Sequence, residues 1–312
     1  MSLTVYHSWR DLAPEARGAA VAFGSFDGVH LGHRQVIADA AKAAAKLGAP
    51  LGVVSLEPHP NTLFNPGGPP FRLANPHQLA RTVEQLGAAR LYLLPFGHQM
   101  ASLSDRAFVE DILVGGLGVR HVAVGFDVTF GNDRTGTPAA MTRYGEAFGF
   151  SVSVTEEVAF DNGRKISSSA IREALRAGEP QLAARLLGQP FAIEGVVQKG
   201  QQLGRRLGIP TANVPLGDYV VPRLGVYATR TRLKGGDVHA GVANIGVNPT
   251  TGEVEPRLEV WLFDFEADIY GETIETELIA FIRPEEKFPS VEAMLAVIAD
   301  DARKAREILG AA

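Results

Sequence analysis

Short apolar runs and helix-like segments alternate through the first half of the chain. The apolar runs lie at 21–24, 51–56, 90–95, 119–125 and 150–154, and the helix-like segments at 33–47, 77–86, 105–113 and 139–148. Strands that are continuously hydrophobic and separated by helices are typical of a parallel sheet that helices cover on both faces. The segment 58–76 is rich in Pro, Asn and Gly, so it predicts a loop.

The pattern changes after Gly188-Gln189-Pro190. A helical stretch over 169–187 is followed by five β-like segments, which Gly, Pro, Asn or Asp residues separate. These segments are 191–197, 226–233, 239–245, 258–263 and 273–282. Since no helical crossover is predicted between them, they favour an antiparallel barrel, with one helix at 290–309 after it. We therefore predict two domains, 1–187 and 188–312.

Composition and charge narrow the classes of function. The chain has 312 residues and a net charge of −5, which argues against nucleic-acid binding driven by overall basicity. It has no cysteine, so disulfides, thiolate nucleophiles and Cys-ligated metal sites are excluded. No apolar stretch approaches the ~18 residues of a membrane span or resembles a signal peptide. We expect a cytoplasmic protein with small-molecule substrates and no nucleic-acid or membrane partner, and leave a homo-oligomer open.

The most informative local sequence is GSFDGVHLGH, residues 24–33, between a predicted strand and a predicted helix. Unpaired backbone N–H groups at a helix N-terminus favour an anion, and Gly24 and Gly32 permit close approach of a ligand. His30 and His33 can donate hydrogen bonds to phosphate oxygens. The motif predicts a phosphate site, with a tight turn or half of a metal site as alternatives. The chain contains neither a Walker A sequence nor a GxGxxG fingerprint.

HxGH after a first strand resembles the nucleotidyltransferase superfamily. The longer motif, with EPHP at 57–60, resembles the bacterial bifunctional riboflavin kinase/FAD synthetase family. Further segments agree with that family in order: GFDVTFGNDRTG (125–136), KISSSAIR (165–172), GRRLGIPTANVPL (204–216), GVYA (225–228), VANIGVNPT (242–250), LEVWLFDFEADIYG (258–271) and IRPEEKFPS (282–290). The resemblance implies a Rossmann-like α/β nucleotidyltransferase domain with a parallel sheet. A riboflavin kinase domain, an antiparallel β-barrel with a terminal helix, would follow it.

The resemblance also implies two reactions that require Mg²⁺. The N-terminal domain would transfer AMP from ATP to FMN, which gives FAD and pyrophosphate. The C-terminal domain would transfer the γ-phosphate of ATP to riboflavin, which gives FMN. The alternatives are a monofunctional FMN adenylyltransferase whose barrel only binds flavin, and a flavin-binding regulatory module without catalysis. An oxidoreductase is disfavoured because no dinucleotide fingerprint follows the first strand.

Adenylyl transfer requires stabilisation of charge around the α-phosphate and pyrophosphate. The resemblance places His30 and His33 there as catalytic residues. It implies ATP binding by Gly24, Phe26, Asp27, Gly32, His33, Ser167, Ser168, Ser169 and Arg172. His59, Asp127 and Arg134 are candidates for the flavin or adenine side, because ligands bind beyond the carboxyl ends of parallel strands. Taken alone, the three serines and the arginine are more typical of a helix N-cap followed by a solvated arginine than of a phosphate site.

The resemblance places the kinase chemistry on two extended segments. Thr211 and Asn213 would face the same side of a strand and offer oxygen ligands to Mg²⁺. Glu259 is the implied base that accepts the proton of the ribityl hydroxyl. Ordinary turn chemistry and a solvent-facing Glu are the alternatives. The residues implied in ATP binding by the kinase are Gly200, Gly204, Arg205, Gly208, Thr211 and Asn213.

Four positions depart from the family pattern. Ser25 stands where Asn is usual, Ser169 where Thr is usual, Trp261 where His is usual and Val297 where Gln is usual. The first two are mild changes. The last two concern the kinase or the placement of flavin rather than the fold, since Trp261 lies two residues from Glu259 on the same predicted strand face.

Overall fold

The computed structural model describes residues 2–160, 165–200, 207–247 and 255–311. The chain divides into two compact units, Met1–Gly68 with Pro76–Ser167, and Pro69–Asn75 with Ser168–Ala312. The second unit includes the helical stretch 169–187, which the sequence analysis assigns to the first domain. The domain boundary at 187/188 therefore stays a prediction. None of the helices in the described ranges is long and apolar enough to cross a membrane.

Among the described residues, the first unit contains a parallel sheet of six strands in the order β1-β4-β3-β2-β5-β6. The strands are β1 (Thr4–Tyr6), β2 (Ala20–Phe23), β3 (Leu51–Glu57), β4 (Arg90–Pro95), β5 (His121–Gly125) and β6 (Ser151–Thr155). The helices are α1 (Leu31–Leu47), α2 (Pro60–Phe64), α3 (Pro76–Gln85), α4 (His98–Ala101), α5 (Asp105–Ala107) and α6 (Pro138–Phe148), and a π-helical segment, Phe108–Gly116, continues α5. The predicted parallel sheet is confirmed. The loop predicted at 58–76 contains one helix, α2.

Strand β2 lies in the middle of the sheet and is buried on both faces. Val21 and Phe23 pack into one cluster with the π-helical segment and α6, whereas Ala20 and Ala22 pack into a second cluster with α1. The small alanine side chains let α1 lie close to the sheet. Since α1 follows β2 directly, its N-terminus lies at the carboxyl ends of the strands, where ligands bind in α/β folds.

The described part of the second unit contains an antiparallel sheet of six strands in the order β7-β12-β9-β10-β11-β8. The strands are β7 (Phe191–Val196), β8 (Ala212–Pro215), β9 (Gly225–Arg232), β10 (Val238–Gly246), β11 (Arg257–Leu262) and β12 (Thr273–Pro284), and the helices are α7 (Ser168–Ala177), α8 (Pro180–Leu187) and α9 (Val291–Leu309). The N–H of Gln198 donates to the carbonyl of Asn213 at 2.8 Å, which joins the two edges. The predicted barrel with a terminal helix is confirmed.

His121 in β5 is a buried histidine that lies outside the predicted site. It is 5% exposed, and its two ring nitrogens make hydrogen bonds of 2.8 and 3.0 Å with the hydroxyls of Ser151 and Ser153. Burial lowers the pKa of His121, although Asp39 opposes this shift. The folded state therefore favours the neutral ring. The stability that this preference contributes is present above the unfolded pKa of about 6.5 and is lost as the pH falls below it.

Between pH 7 and pH 5, the free energy of unfolding should fall less for His121→Asn than for the wild type. The variant lacks the imidazole that takes up a proton on unfolding. Urea denaturation at each pH measures the slope. His7→Asn, a change at an exposed histidine, is the matched control and should keep the wild-type slope. Parallel pH profiles for the wild type and His121→Asn would contradict the assignment.

Candidate active sites

A cleft of about 700 Å³ lies in the first unit, at the carboxyl ends of the parallel strands. Its lining includes residues 24–26 after β2, 59–61 after β3, Gly125 at the end of β5 and 127–134 after it. These loops meet because parallel strands all end at the same edge of the sheet. The predicted site residues that line the cleft are Gly24, Phe26, His33, His59, Asp127 and Arg134. Ser25, one of the departures from the family pattern, lines it as well.

His30 and His33 have different positions at the start of α1. His30 is the N-cap residue, and its Nδ1 accepts a hydrogen bond from the backbone N–H of His33 at 3.2 Å. The two rings stack with centroids 3.6 Å apart and 16° between their planes. His33 lines the cleft, whereas His30 is 7% exposed and is not among the described lining residues. Since Nδ1 is an acceptor, a neutral His30 carries its proton on Nε2.

The surroundings of His33 keep its ring uncharged. Burial lowers the pKa of His33 well below its ordinary value, and His30 lowers it further. The ring of Phe26 contacts His33 edge-on at 5.2 Å. Nδ1 of His33 is buried and has no hydrogen-bond partner among the described residues. A neutral imidazole beside a helix N-terminus offers a directed hydrogen bond to an anion rather than a full positive charge.

Gly32 makes room for the His30 ring. A Cβ at this position would lie 3.1 Å from Cε1 of His30, which is closer than most real contacts allow. A Cβ at Gly24 would make only an ordinary contact of 3.7 Å with the Phe26 ring. The glycine at 32 is therefore explained by packing within the motif. Asp27, also predicted to bind ATP, is buried with 5% of its surface exposed.

The lining of the cleft also contains aromatic side chains that sequence reasoning missed. Phe64 in α2 is 66% exposed, and its ring lies 5.8 Å from that of Phe96. Both residues line the cleft, beside His59, whose Nδ1 accepts from the N–H of Asn61 at 3.1 Å. No apolar periodicity marks this segment. An isolated Phe in a stretch rich in Pro, Asn and Gly is the signal that could have found Phe64.

Asp127 and Arg134 line the cleft from the loop that follows β5. Oδ2 of Asp127 accepts a hydrogen bond from Nζ of Lys165 at 2.8 Å, and both side chains are about half exposed. Arg134 ends a short turn and has a φ of 57°, in the left-handed region that disfavours non-glycine residues. Both residues follow β5, as the sequence predicts for the ligand side of the sheet.

The serines and the arginine of KISSSAIR fall on both sides of the division between the units. Ser167 ends the first unit, whereas Ser168, Ser169 and Arg172 belong to the second. Nε of Arg172 donates to the carbonyl of Phe71 at 2.7 Å, and its guanidinium carbon lies 5.5 Å from the centre of the Phe71 ring. Arg172 is therefore not a freely solvated cation. The role of these four residues in ATP binding stays a prediction.

Three polar residues of the second unit lie in one row across β8, β11 and β10. Asn213 pairs with Glu259, and Glu259 pairs with Asn244. Directly paired residues on neighbouring strands project to the same face of a sheet, so the three side chains share that face. Leu258 and Val260 are buried on the opposite face, as the alternation predicts. Glu259 lines a pocket of about 260 Å³.

This pocket combines a carboxylate with an apolar wall. Burial raises the pKa of Glu259, Arg257 opposes the shift and Glu285 adds to it. The apolar lining includes Trp261, Val226, Val242, Phe288, Met294 and Ile298. Trp261 packs edge-on against Phe263 at 5.5 Å and leaves part of its ring towards the pocket. Val297 lies in α9 but does not belong to the described lining.

An ion pair connects α9 to the sheet beside Glu259. Nη2 of Arg283 lies 2.9 Å from Oδ2 of Asp301, and the Arg283 Nε donates to both carboxylate oxygens at 3.0 Å. Asp301 is 2% exposed, so the pair is shielded from water. Breaking a buried pair of this kind leaves an uncompensated charge. The pair therefore fixes the helix that supplies Met294 and Ile298 to the pocket.

A second cavity of about 220 Å³ is lined by Thr211, Asn213 and the loop 265–270. Thr211 lines both cavities. A Cβ at Gly200 would lie 2.8 Å from Nδ2 of Asn213, so this glycine allows the close approach of the two segments. Gly208 has a φ of 80°. Gly204 and Arg205, which were also predicted to bind ATP, lie outside the described residues.

We expect the imidazole of His33 to titrate below the ordinary histidine pKa of about 6.5, because burial penalises its charged form. NMR of the ring protons from pH 8 to pH 5 measures this pKa, and the His33→Gln spectrum assigns the signal. In His30→Asn, which keeps a capping side chain, the pKa of His33 should rise towards its ordinary value. Titration of His33 at or above pH 6.5 in the wild type would contradict the described environment.

Comparisons with known proteins agree with the order of the two sites. The FAD synthetase family model matches residues 12–170, and the riboflavin kinase family model matches residues 187–309. The bifunctional riboflavin kinase/FMN adenylyltransferase of Pseudomonas fluorescens is 42% identical over 299 residues, which cover 96% of this chain and 95% of that protein. The Bacillus subtilis enzyme of the same name is 38% identical over 309 residues, which cover 97% and 96%.

A solved structure gives the same result at the level of the fold. It is described as a macrolide-efflux protein from Streptococcus pneumoniae, is 32% identical and has a TM-score of 0.85. The match covers 98% of this chain and 99% of that chain. From the two family models and from relatives similar over nearly their whole length, the chain belongs to the family of bifunctional riboflavin kinase/FMN adenylyltransferases.

Proposed function

We propose that the chain converts riboflavin into FAD in two steps that use ATP, one in each unit. The second unit transfers the γ-phosphate of ATP to riboflavin, and the first unit transfers AMP from a second ATP to the FMN produced. The observation that carries the proposal is the presence of two sites with different chemistry. One has an uncharged histidine at a helix N-terminus, and the other has a half-buried carboxylate beside an apolar wall.

Adenylyl transfer requires little acid–base chemistry, because the FMN phosphate is already an anionic nucleophile at neutral pH. One of its oxygens attacks the α-phosphorus of ATP, the bond to the β-phosphate oxygen breaks, and pyrophosphate leaves. Catalysis then depends on holding two anionic groups in line and stabilising the charge on the leaving group. His33 and the N–H groups of the first turn of α1 supply hydrogen bonds for that charge, and His30 fixes their orientation.

The aromatic side of the cleft suits a flat ring. Phe64 and Phe96 present apolar surface beside His59, and the exposed ring of Phe64 gains burial when a ligand ring covers it. We assign this side to the isoalloxazine or the adenine ring. Asp127 and Arg134 contact the polar groups of the same ligands in this proposal.

Phosphorylation of riboflavin requires a base, because the ribityl hydroxyl is neutral. Glu259 accepts its proton while the hydroxyl oxygen attacks the γ-phosphorus and ADP leaves. The raised pKa of Glu259 makes its carboxylate a stronger base. The apolar wall with Trp261, Met294 and Ile298 takes the isoalloxazine ring. Trp261 replaces the usual histidine and enlarges this wall.

Thr211 and Asn213 offer a hydroxyl and an amide oxygen, which are the hard donors that Mg²⁺ prefers. Thr211 lines both the flavin pocket and the second cavity, whereas Asn213 lines the second cavity; in this proposal Thr211 therefore lies where ATP and riboflavin would meet. Mg²⁺, when bound, would neutralise phosphate charge during the transfer. We place ATP in the second cavity, beside Gly200 and Gly208. A cytoplasmic location and the absence of nucleic-acid and membrane partners remain predictions, and the oligomeric state remains open.

Product analysis tests the proposal. The purified chain, given riboflavin and Mg-ATP, should form FMN and then FAD, which chromatography separates. Conversion of FMN without any consumption of riboflavin would instead favour the monofunctional adenylyltransferase. A sample that converts neither flavin would favour the regulatory module and contradict the proposal.

We expect His33→Ala to lower the rate of FAD formation from FMN by at least about 100-fold, as for the loss of one transition-state donor. FMN formation from riboflavin should stay close to the wild-type rate, because Glu259 lies in the other unit. His7→Ala is the matched control and should keep both rates. Equal loss of both activities in His33→Ala would indicate misfolding and contradict the assignment.

Glu259→Gln should have the reverse effect. It removes the proposed base but keeps the shape, so FMN formation should fall by about 100-fold or more while FAD formation from FMN is kept. Glu277→Gln is the matched control, because Glu277 is also half-buried on a barrel strand and burial also raises its pKa. We expect Glu277→Gln to keep the wild-type rate of FMN formation, unlike Glu259→Gln. A kinase that tolerates Glu259→Gln would exclude Glu259 as the base.

A further inference from the structure

The charge balance of the adenylyltransferase cleft is unfavourable for its proposed ligands. Apart from the histidines, the ionisable side chains among the described lining residues are Asp127, Asp133 and Arg134. The lining therefore carries one more negative than positive charge. The proposed reaction brings two phosphate-bearing substrates into this cleft, and like charges at short range repel one another.

Lys165 supplies a positive charge from just outside the lining. Its Nζ lies 2.8 Å from Oδ2 of Asp127, within hydrogen-bond and ion-pair distance. The hydrogen bond that Lys165 donates to Asp127 raises the pKa of Lys165, and Glu157 adds to this shift. The amine is therefore charged throughout the physiological range. Asp127 is thereby a paired carboxylate in the described structure rather than an isolated one.

The position of Lys165 is fixed from several directions. Its Nζ lies 4.8 Å from the centre of the Phe126 ring, a distance at which a cation is attracted to an aromatic face. Its backbone forms an antiparallel bridge with Ala159. The next residue, Ile166, is buried with 6% exposed. The backbone of Lys165 is thus anchored beside Ala159 and Ile166, and its half-exposed amine contacts Asp127 and the Phe126 ring.

We propose that Lys165 is a positioning residue, a fixed counter-charge for Asp127 that lets the cleft hold the phosphates of ATP and FMN together. This proposal rests on the proposed adenylyl transfer, and it assigns a role to a residue that is not among the described lining residues of the cleft. Lys165 acts through Asp127: it cancels the repulsion between that carboxylate and the incoming phosphates, and it holds the carboxylate in one orientation. The effect belongs to substrate binding, so it should appear in KM more than in kcat.

A double-mutant cycle tests the proposal. The variants are Lys165→Met, Asp127→Asn and the two combined, and the measurements are kcat and the KM values for ATP and FMN during FAD formation. Lys165→Met should raise both KM values by about ten-fold with a smaller change in kcat, because it leaves Asp127 unpaired. In the Asp127→Asn background, the same change should alter KM by less than about two-fold. Lys165→Arg should restore values near those of the wild type.

Arg106→Met is the matched control for losing an exposed cation. Arg106 also pairs with a carboxylate, that of Glu110 at 3.3 Å, and also lies over an aromatic ring, that of Phe148 at 5.6 Å. Its partner Glu110, unlike Asp127, is not among the described lining residues, so the loss of Arg106 should leave both KM values unchanged. The rate of riboflavin phosphorylation by each variant reports whether the chain has folded.

Two results would overturn the proposal. Unchanged KM values in Lys165→Met would show that the counter-charge is not needed. An equal rise in KM with and without Asp127 would show that Lys165 contacts a phosphate directly. A wild-type chain that forms no FAD from FMN would instead refute the adenylyl transfer itself, so the two failures are distinguishable.

Discussion

The site in the first unit depends on one hydrogen bond, from the backbone N–H of His33 to Nδ1 of His30. This bond caps α1, for which loss of a capping side chain typically costs about 1 kcal/mol. Because Nδ1 of His30 accepts this bond, the proton of a neutral His30 lies on Nε2. The two imidazoles also stack against each other. Gly32 favours this packing because a Cβ there would press against the same ring. The motif is therefore a small packed unit in which one histidine supports the other.

The second unit relies on strand register instead of a helix terminus. Glu259 shares one face of the sheet with Asn213 and Asn244 because β8, β11 and β10 pair at these positions, and Glu259 and Asn244 line the same pocket. A slip of one residue would turn the side chains of a strand to the opposite face. The Arg283–Asp301 pair then holds α9 over this face, so that the pocket has an apolar wall. The two candidate sites thus depend on two different kinds of local structure.

Hydrophobic pattern predicted most of the architecture, because buried parallel strands such as β2 and β3 are continuous apolar runs. It missed β1, a three-residue edge strand. It also did not mark β8, which lies between a proline and a glycine-containing turn and was expected only as the extended segment of Thr211 and Asn213. The helix predicted at 105–113 is present, but it passes into a π-helical segment. A change of hydrogen-bond spacing leaves little trace in apolar periodicity.

The site was less predictable, since its contacts join residues that are distant in sequence. The motif predicted His30 and His33 as a pair. Only the packing of α1 shows that His33 lines the cleft, whereas His30 is buried behind it as a capping residue. Arg172 is held by Phe71, 101 residues away, and Asp127 by Lys165, 38 residues away. No local pattern reports such pairs.

The central claim is that two sites in one chain break different bonds of ATP, and isotope transfer from ATP to flavin tests it most directly. With riboflavin as substrate and ATP labelled with ³²P at the γ-position, both FMN and FAD should carry label. With ATP labelled at the α-position, FAD should be labelled while FMN remains unlabelled. Label from the α-phosphate in FMN, or FAD without any label from it, would contradict the account.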